Sequence, residues 1–413
     1  MRRGVILILC GAAVLVSFAV GVGSAWGATA IDLLEPERAV DGGEQVAVMS
    51  GLDNPRGLAF GPQGALYVAE AGRGGSGLES PFCFAASLGA TRCYGPTGAV
   101  SRLWHGRQER VVTGLPSHAN PNGNRADGPH DIAMLGVGGA HVTIGLEADP
   151  TRRDALAGQV PEFAGFARLA AVRPSGEWRY GADLGAYEAH NNPDGRLQED
   201  GSPVLDTNPY GVLAIPGGAL ATDAGGNSLL HVAANREISL LAVFQSRGST
   251  PPRPSGAPPI FDQLTDAVPT SVVIGPDGAY YVAELTGVPF VDQKANVYRV
   301  VPGQPPRLFL TNEACLTGFK MIIDLAFDEQ ANLYVLQYAT GALQQTGPGI
   351  LVRVTPDTEQ PGGICARYRA GTRTTVRAGL SQPTSIAVGP DGALYLSNRG
   401  NAAGTGEVLR LKP

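Results

Sequence analysis

A short pattern of alternating apolar and polar positions recurs along the chain and predicts β-strands. In the clearest copy, apolar residues 272–274 precede the turn 275–278, and a second apolar run follows at 279–283. Within this Gly-Pro-Asp-Gly turn, proline fixes φ, aspartate can close an Asx-turn, and glycine accepts a positive φ. The Val, Ile and Tyr residues on either side suit β-structure. Each copy therefore predicts two short antiparallel strands joined by a tight turn.

The unit occurs six times, and two further strand-like runs follow each of its better copies. The copies begin at Pro55, Pro129, Pro209, Pro269, Ile323 and Pro383. In the first unit the additional runs are residues 98–104 and 110–115, and in the fourth they are 296–301 and 307–310. Four strands repeated at this period are typical of propeller blades, which must stack face to face to cover their apolar surfaces.

The two ends of the chain predict how the ring closes. After its first two strands the sixth unit has only residues 407–411 before the chain stops. Residues 45–52 resemble residues 374–380, the predicted outer strand of the fifth unit. We therefore expect the N-terminal strand to complete the last blade and remove the open edge of the ring. The predicted fold class is all-β, a six-bladed β-propeller over residues 45–413.

Composition agrees with this fold class and excludes others. The chain contains 57 Gly and 32 Pro, and only 16% of its residues are charged. So many backbone breakers argue against a helical bundle or a coiled coil. Disorder is disfavoured because 43% of the residues are hydrophobic and the net charge is only -6. The mature chain is acidic with only three lysines, which are Lys294, Lys320 and Lys412. It offers no basic stripe for a phosphate backbone, so no nucleic-acid partner is expected.

The first 30 residues read as a signal peptide. Arg2 and Arg3 precede an apolar run at 5–22, and small residues dominate 23–30. An uncleaved N-terminal anchor is the alternative, because the run is about 18 residues long. We predict a signal peptide at 1–30 and a lead segment at 31–44. The mature protein is then exported, extracellular or periplasmic, with no membrane association after cleavage, and monomeric.

Cysteine usage agrees with export. Apart from Cys10 the chain contains Cys83, Cys93, Cys315 and Cys365, an even number suited to an oxidising compartment. Four cysteines allow three pairings. Cys83 and Cys93 share one loop, which favours a local bridge and leaves Cys315 to pair with Cys365. The paired C-x-x-C spacing of zinc sites is absent.

The Gly-Pro-Asp-Gly-x-Leu-Tyr-Val pattern resembles NHL-type and related six-bladed propellers across residues 45–413. Three further motifs in order, at 192–195, 207–211 and 222–227, resemble the ScyD/ScyE family of exported bacterial proteins. Members of that family occur in the cyanobacterial scytonemin sunscreen gene cluster and widely outside it. The resemblance covers essentially the whole mature chain and implies an extracytoplasmic propeller. It implies no reaction, because the family offers no established catalytic residues to carry over.

The longest predicted loops all lie at one end of the strands, around the channel mouth, which is where propeller function usually resides. Three histidines fall in these loops with acids and amides beside them. The candidate ligand-binding residues are His118, His130, Asp131, His190, Asn191, Asn192, Asp194 and Asn208, with Asp127 adjacent. Such a set could form a metal site or an acid–base cluster. The alternative is that Asn and Asp cap turns and the histidines are solvated.

A second candidate set ends the second strand of four blades. Glu70 and Glu284 belong to blades 1 and 4, and Asp223 and Asn398 hold the equivalent positions in blades 3 and 6. Oxygen ligands of this kind suit Ca²⁺ or another divalent cation. The alternative is a hydrogen-bonded structural residue at each position.

Two functions from different classes follow. The first is an exported binding scaffold that holds a small molecule, a glycan or a protein at its loop-rich face. The second is a metal-dependent hydrolase or lyase of the lactonase-like propeller kind. A G-x-S-x-G nucleophile motif is absent from the sequence, which disfavours serine hydrolase chemistry.

Overall fold

The computed structural model describes residues 45–86, 90–197, 200–245, 247–248, 264–288, 290, 294–309, 319–341 and 346–412. The predicted signal peptide (1–30) and lead segment (31–44) lie outside the described residues and stay predictions. Within the described part, no helix has both the length and the apolar character needed to cross a membrane.

The described chain begins with β1 (Gln45–Leu52), which belongs to the last blade. Blade 1 follows with β2 (Pro55–Phe60), β3 (Leu66–Glu70), β4 (Phe82–Ala85), β5 (Thr91–Trp104) and β6 (Arg107–Ala119). Blade 2 comprises β7 (Pro129–Met134), β8 (Ala140–Ile144), β9 (Arg168–Val172) and β10 (Trp178–Asp183). Blade 3 comprises β11 (Pro209–Ile215), β12 (Gly218–Asp223), β13 (Ser228–Ala233) and β14 (Ile238–Val243). A two-stranded pair, β15 (Arg247–Gly248) and β16 (Leu264–Thr265), precedes blade 4.

The remaining blades repeat the arrangement. Blade 4 comprises β17 (Pro269–Ile274), β18 (Tyr280–Glu284), β19 (Val297–Val300) and β20 (Arg307–Leu308). Blade 5 comprises β21 (Ile322–Phe327), β22 (Leu333–Gln337), β23 (Gly349–Thr355) and β24 (Thr372–Leu380). Blade 6 comprises β25 (Ser385–Val388), β26 (Leu394–Asn398), β27 (Gly406–Leu411) and β1. Every blade is antiparallel, and the innermost strands of neighbouring blades contact one another around a ring. The predicted six-bladed β-propeller is confirmed.

Closure by the N-terminal strand is also confirmed. β1 pairs antiparallel with β27, from Gln45 opposite Leu411 to Leu52 opposite Gly406. Met49 and Leu52 are buried in a cluster with Leu58 and Val68 of blade 1. The strand therefore completes the sheet of blade 6 and contributes to the core between blades 6 and 1.

Short helices lie in two of the long connections, between β8 and β9 and between β10 and β11. α1 (Pro150–Ala157) begins at Asp149, whose carboxylate accepts from the Thr151 N–H at 2.7 Å. α2 (Leu184–Asn191) begins at Asp183, which accepts from the Ala186 N–H at 2.9 Å. An aspartate cap and, in α1, a proline at the first position are the usual signals of a helix start, and they were overlooked beside the strand repeat. A third helix, α3 (Ile364–Ala370), precedes β24.

The predicted local disulfide is confirmed. β4 pairs with β5 so that Cys83 lies opposite Cys93, and their sulfurs are bonded with a Cα–Cα distance of 4.0 Å. Cys365, in α3, is also disulfide-bonded. Because Cys315 lies outside the described residues, its pairing with Cys365 stays a prediction. A disulfide is compatible with an exported protein.

Candidate functional site: the channel mouth

The antiparallel topology places the long loops at one face, which we call the mouth. The innermost strands begin there and the second strands end there, while tight turns such as the one around Gly278 (φ 76°) join strands at the opposite face.

At the mouth, side chains at the second position of alternate blades donate to the first carbonyl of the next blade. The bonds are His130 Nδ1 to Pro209 O (3.1 Å), Thr270 Oγ1 to Ile322 O (3.0 Å) and Thr384 Oγ1 to Pro55 O (2.7 Å). Since a carbonyl only accepts, the Nδ1 atom of His130 carries a proton.

A histidine–aspartate cluster lies between blades 1 and 2 and comprises Arg92, His118, Asp127, His130 and Glu147. His118 donates from Nε2 to Leu146 O at 3.1 Å, which leaves its Nδ1 atom 3.9 Å from Asp127 Oδ2. His130 Nε2 lies 3.3 Å from Asp127 Oδ1. Both histidines and Asp127 are buried, and His118 Nδ1 and His130 Nε2 have no hydrogen bond. One carboxylate therefore faces two imidazole nitrogens.

The pKa values of the ionisable groups in this cluster are shifted in different directions. Burial lowers the pKa of His118 to about 4, against the opposing charge of Asp127, so the ring is neutral at pH 7. Burial pushes the pKa of Asp127 upward, but His130, His118 and Arg92 outweigh it and the pKa is lowered overall. The neighbouring charge of Asp127 raises the pKa of Glu147. The charge of Asp127 thus favours the protonated form of Glu147, while Asp127 itself is held ionised.

Glu147 is the accessible member of the cluster. Its side chain is 58% exposed, and its carboxylate lies 3.3 Å from Arg92 Nη2. Its backbone adopts φ 57°, an uncommon conformation for a residue with a Cβ. The preceding Leu146 N–H donates to Asn208 Oδ1 at 3.0 Å, so the amide of blade 3 holds the loop in place.

The candidate residues of the mouth do not all come together. The structure brings His118, His130 and Asn208 close to Asp127 and Leu146. His190 and Asn191 are exposed at the end of α2. Asn192 ends that helix in the left-handed conformation, and Asp194 accepts from Asn227 Nδ2 at 2.9 Å.

The four strand-end residues each hold neighbouring groups of their own blade. Glu70 accepts from the Asp53 N–H (2.7 Å) and from Arg110, and Glu284 accepts from Asn296. The Asn208 N–H donates to Asp223 (2.7 Å), and the Ser381 N–H donates to Asn398 (2.8 Å). No group of three His, Cys, Asp or Glu side chains in the described part surrounds a point where a metal ion could bind. The divalent-cation site stays a prediction.

Further buried acids lie beside Asp223 in blade 3. Burial, followed by the charges of Asp223, Asp194 and Asp206, raises the pKa of Glu188 to about 8. Burial, followed by Asp223 and Asp266, raises the pKa of Asp206 to about 7. Glu188 is 2% exposed and its Oε1 atom has no hydrogen-bond partner. This side of the mouth is therefore acidic and partly protonated at neutral pH.

Replacing Glu188 by glutamine should change the pH dependence of stability. Because the native pKa is raised, the folded chain holds this proton to higher pH than the unfolded chain, so its contribution is complete below about pH 4.5 and is lost as the pH rises through 8. Relative to wild type, Glu188→Gln should be more stable at pH 9 than at pH 5 by about 2–4 kcal/mol. Urea unfolding at the two pH values measures this difference. Glu177→Gln, whose side chain is 71% exposed, is the matched control and should show none.

An arginine–tyrosine cluster, which sequence reasoning missed, lies at the centre of the mouth and comprises Arg56, Tyr210, Tyr338 and Asn401. Arg56 donates to Gly400 O (2.8 Å), Ala126 O (2.8 Å) and Asn401 Oδ1 (3.1 Å). Asn401 Nδ2 donates to the Tyr338 hydroxyl at 2.6 Å. The Tyr210 ring packs 4.7 Å from the His130 ring, which connects the two clusters. The signal for this cluster in the sequence was Arg56 and Tyr210 at the second repeat position, where two other blades have Thr.

Below the mouth, the axial channel forms a cavity of about 300 Å³ lined by all six innermost strands. Asp131 of blade 2 and Asp324 of blade 5 line it, and each is the third residue of its innermost strand. Asp131 accepts from the Ile132 and Val212 N–H groups, both at 2.8 Å. Asp324 accepts from Leu325 and Ile386 in the same way, and also from two serines of neighbouring blades. Burial raises the pKa of both carboxyls. The candidate Asp131 thus faces the channel rather than the histidines.

Comparisons with known proteins give fold-level likenesses only. No protein-family model matches the chain, and no curated protein matches its sequence. A virginiamycin B lyase from Staphylococcus aureus is 10% identical with a TM-score of 0.45, over 90% of this chain and 98% of that one. An auxiliary nutrient binding protein from Bacteroides thetaiotaomicron is 9% identical with a TM-score of 0.46, over 88% and 69%. A gluconolactonase-like protein is 11% identical with a TM-score of 0.40, over 91% and 94%. At these scores the likenesses carry no argument, and the fold rests on the strand order of the chain itself.

Proposed function

We propose that the protein is an exported binding propeller of the ScyD/ScyE kind, which holds a small molecule at its mouth. The observation that carries this proposal is the position of buried polar atoms without hydrogen-bond partners. Among the described residues, nine of thirteen such side chains lie at the mouth: Asn54, Arg56, His118, His130, Glu188, Asn192, Ser228, Thr286 and Lys320. Native proteins satisfy most buried polar groups, so a concentration at one face points to a ligand.

The three motifs that resemble the ScyD/ScyE family contact one another at this face. Thr207 Oγ1 donates to Asp223 at 2.6 Å, and Asn227 donates to Asp194 at 2.9 Å. The Gly225 and Gly226 N–H groups also donate to Asp223. Residues from all three motifs thus form one hydrogen-bonded unit at the edge of the mouth. This common position supports the resemblance of the three motifs to the ScyD/ScyE family.

Glu147→Gln should weaken ligand binding at least fivefold without unfolding the protein, because Glu147 is exposed and adjoins Arg92 and Asp127. The measurement is thermal unfolding of the mature protein, followed by calorimetry, with neutral hexoses, sugar acids, aromatic acids and amino acids as probes. Glu177→Gln makes the same chemical change at the opposite face and should bind like wild type. A wild-type protein that responds to none of these probes, or a Glu147→Gln variant that binds as tightly as Glu177→Gln, would count against the proposal.

A second candidate function, the metal-dependent hydrolase or lyase, is favoured by one observation. Glu147 and Asp127 are neighbouring acids with pKa values pushed in opposite directions, as in proton-transferring carboxyl pairs. Turnover of a lactone probe that Glu147→Gln and a chelator each abolish would support this function. Elemental analysis that finds no metal, together with no turnover, would contradict it.

A further inference from the structure

We infer that the arginine–tyrosine cluster binds the carboxylate group of a small organic monoacid at the centre of the mouth. This inference rests on the proposed binding function, since it names the chemical class of the ligand for the same face.

Arg56 carries a charge that the described protein does not neutralise. Its residue is only 7% exposed, and its three hydrogen bonds go to two backbone carbonyls and one side-chain amide. Its Nε atom has no hydrogen-bond partner, and no carboxylate of the described residues lies within 4.0 Å of it. Buried charges in proteins are normally paired, because removing an ion from water is costly. A guanidinium in this state therefore indicates an anion that none of the described residues supplies.

The surrounding groups are suited to share an anion with Arg56. Arg56 donates to Asn401 Oδ1, and Asn401 in turn donates from Nδ2 to the Tyr338 hydroxyl. The Tyr338 oxygen already accepts a bond, so its own proton remains to donate. The Tyr210 hydroxyl is close enough to Arg56 that the guanidinium opposes the rise that burial causes in its pKa. A guanidinium and two phenol hydroxyls are donors of the kind that bind carboxylate oxygens.

The charges around the cluster favour a monoanion. Asp131 and Asp324 lie in the channel near Tyr210, and both contribute to raising the pKa of its hydroxyl. Asp127 lies next to Ala126, whose carbonyl accepts from Arg56. A dianion such as phosphate would bring two charges to a single arginine beside the ionised Asp127, whereas a carboxylate brings one. The His130 and Tyr210 rings add an aromatic wall for the body of the ligand.

The test compares acids with neutral molecules of matched shape. Benzoate with benzyl alcohol and glucuronate with glucose are titrated into the mature protein by calorimetry, with sodium chloride holding the ionic strength constant. We expect at least one acid to bind ten times more tightly than its neutral partner, and inorganic phosphate to bind more weakly than that acid. Arg56→Met should weaken acid binding at least tenfold, and Tyr210→Phe at least threefold. Tyr395→Phe, which removes a hydroxyl bonded to Asp391 at the other face, should leave acid binding unchanged.

The outcomes separate this inference from the proposed function. Neutral partners that bind as tightly as the acids would leave the binding function standing and overturn the carboxylate site. If no acid binds measurably while another class of probe binds at the mouth, the carboxylate site is again overturned and the binding function stands. If Arg56→Met fails to fold, Tyr210→Phe decides, because it removes one oxygen atom from a half-buried side chain; unchanged affinity in that variant overturns the inference.

Discussion

A chain that begins at Asp53, and so lacks β1, should lose its cooperative thermal unfolding transition, whereas a chain that begins at Gln45 should unfold like the mature protein. β1 supplies the outer strand of blade 6 through its pairing with β27, and it buries Met49 and Leu52. Without it, β27 presents an unpaired edge and the junction of the first and last blades loses apolar contacts. Circular dichroism on heating and size-exclusion chromatography measure both effects.

The chain beginning at Gln45 serves as the control, because it lacks the same upstream residues but retains the strand. A sharp transition within a few degrees of wild type in the chain that begins at Asp53 would show that closure does not depend on β1. Aggregation of that chain, with a soluble and cooperative control, is the result we expect from an exposed strand edge.

Asp324→Ala should destabilise the propeller by about 3–5 kcal/mol, since it leaves several buried donors unsatisfied at once. The Asp324 carboxylate accepts from Ser271 (2.6 Å) in blade 4 and from Ser385 (2.7 Å) in blade 6, as well as from the Leu325 and Ile386 N–H groups (both 2.8 Å). One side chain thus ties three innermost strands together at the channel wall. Chemical denaturation at pH 7 gives the change in the free energy of unfolding.

Two further substitutions serve as comparisons for the loss of stability in Asp324→Ala. Asp324→Asn keeps one acceptor oxygen in place and should lose roughly half as much stability. Asp200→Ala removes an exposed carboxylate that accepts from Ser202 within its own turn, and should leave stability close to wild type. If Asp324→Ala were no more destabilising than Asp200→Ala, the proposed tie between blades 4, 5 and 6 would be wrong.

The architecture could be predicted from sequence because it depends on local, repeated signals. The Gly-Pro-Asp-Gly turn is determined by the backbone preferences of four residues, and its flanking strands by β-branched and aromatic side chains. Because the pattern recurs six times, these weak local signals together gave the number of blades. The sixth unit lacks one strand, which indicated where residues 45–52 pair. The Cys83–Cys93 bridge followed from the same short-range reasoning, since the two residues lie in one loop. The helix starts at Asp149 and Asp183 were also readable, but they lay outside the repeat.

The candidate site was much less accessible to sequence reasoning. His118 and His130 were singled out, but their common partner Asp127 became important only when β6 and β7 brought the three side chains together. Arg56 and Asp324 were missed because each looks like ordinary variation at one position of a degenerate repeat. Their significance depends on contacts across 53 residues or more, such as Asp324 with Ser271, and as many as 345, such as Arg56 with Asn401. No local pattern encodes such distances.

By itself the sequence determined that this chain forms short antiparallel strands, that there are six blades, and that β1 closes the ring. Those properties follow from backbone conformation and hydrophobic periodicity, which act over a few residues at a time. Only the tertiary structure decided which polar groups are paired and which are not. Pairing is a matter of distance in three dimensions and of burial. The lack of a carboxylate partner for Arg56 among the described residues, and the opposed pKa shifts of Asp127 and Glu147, therefore appear only once the blades are in place.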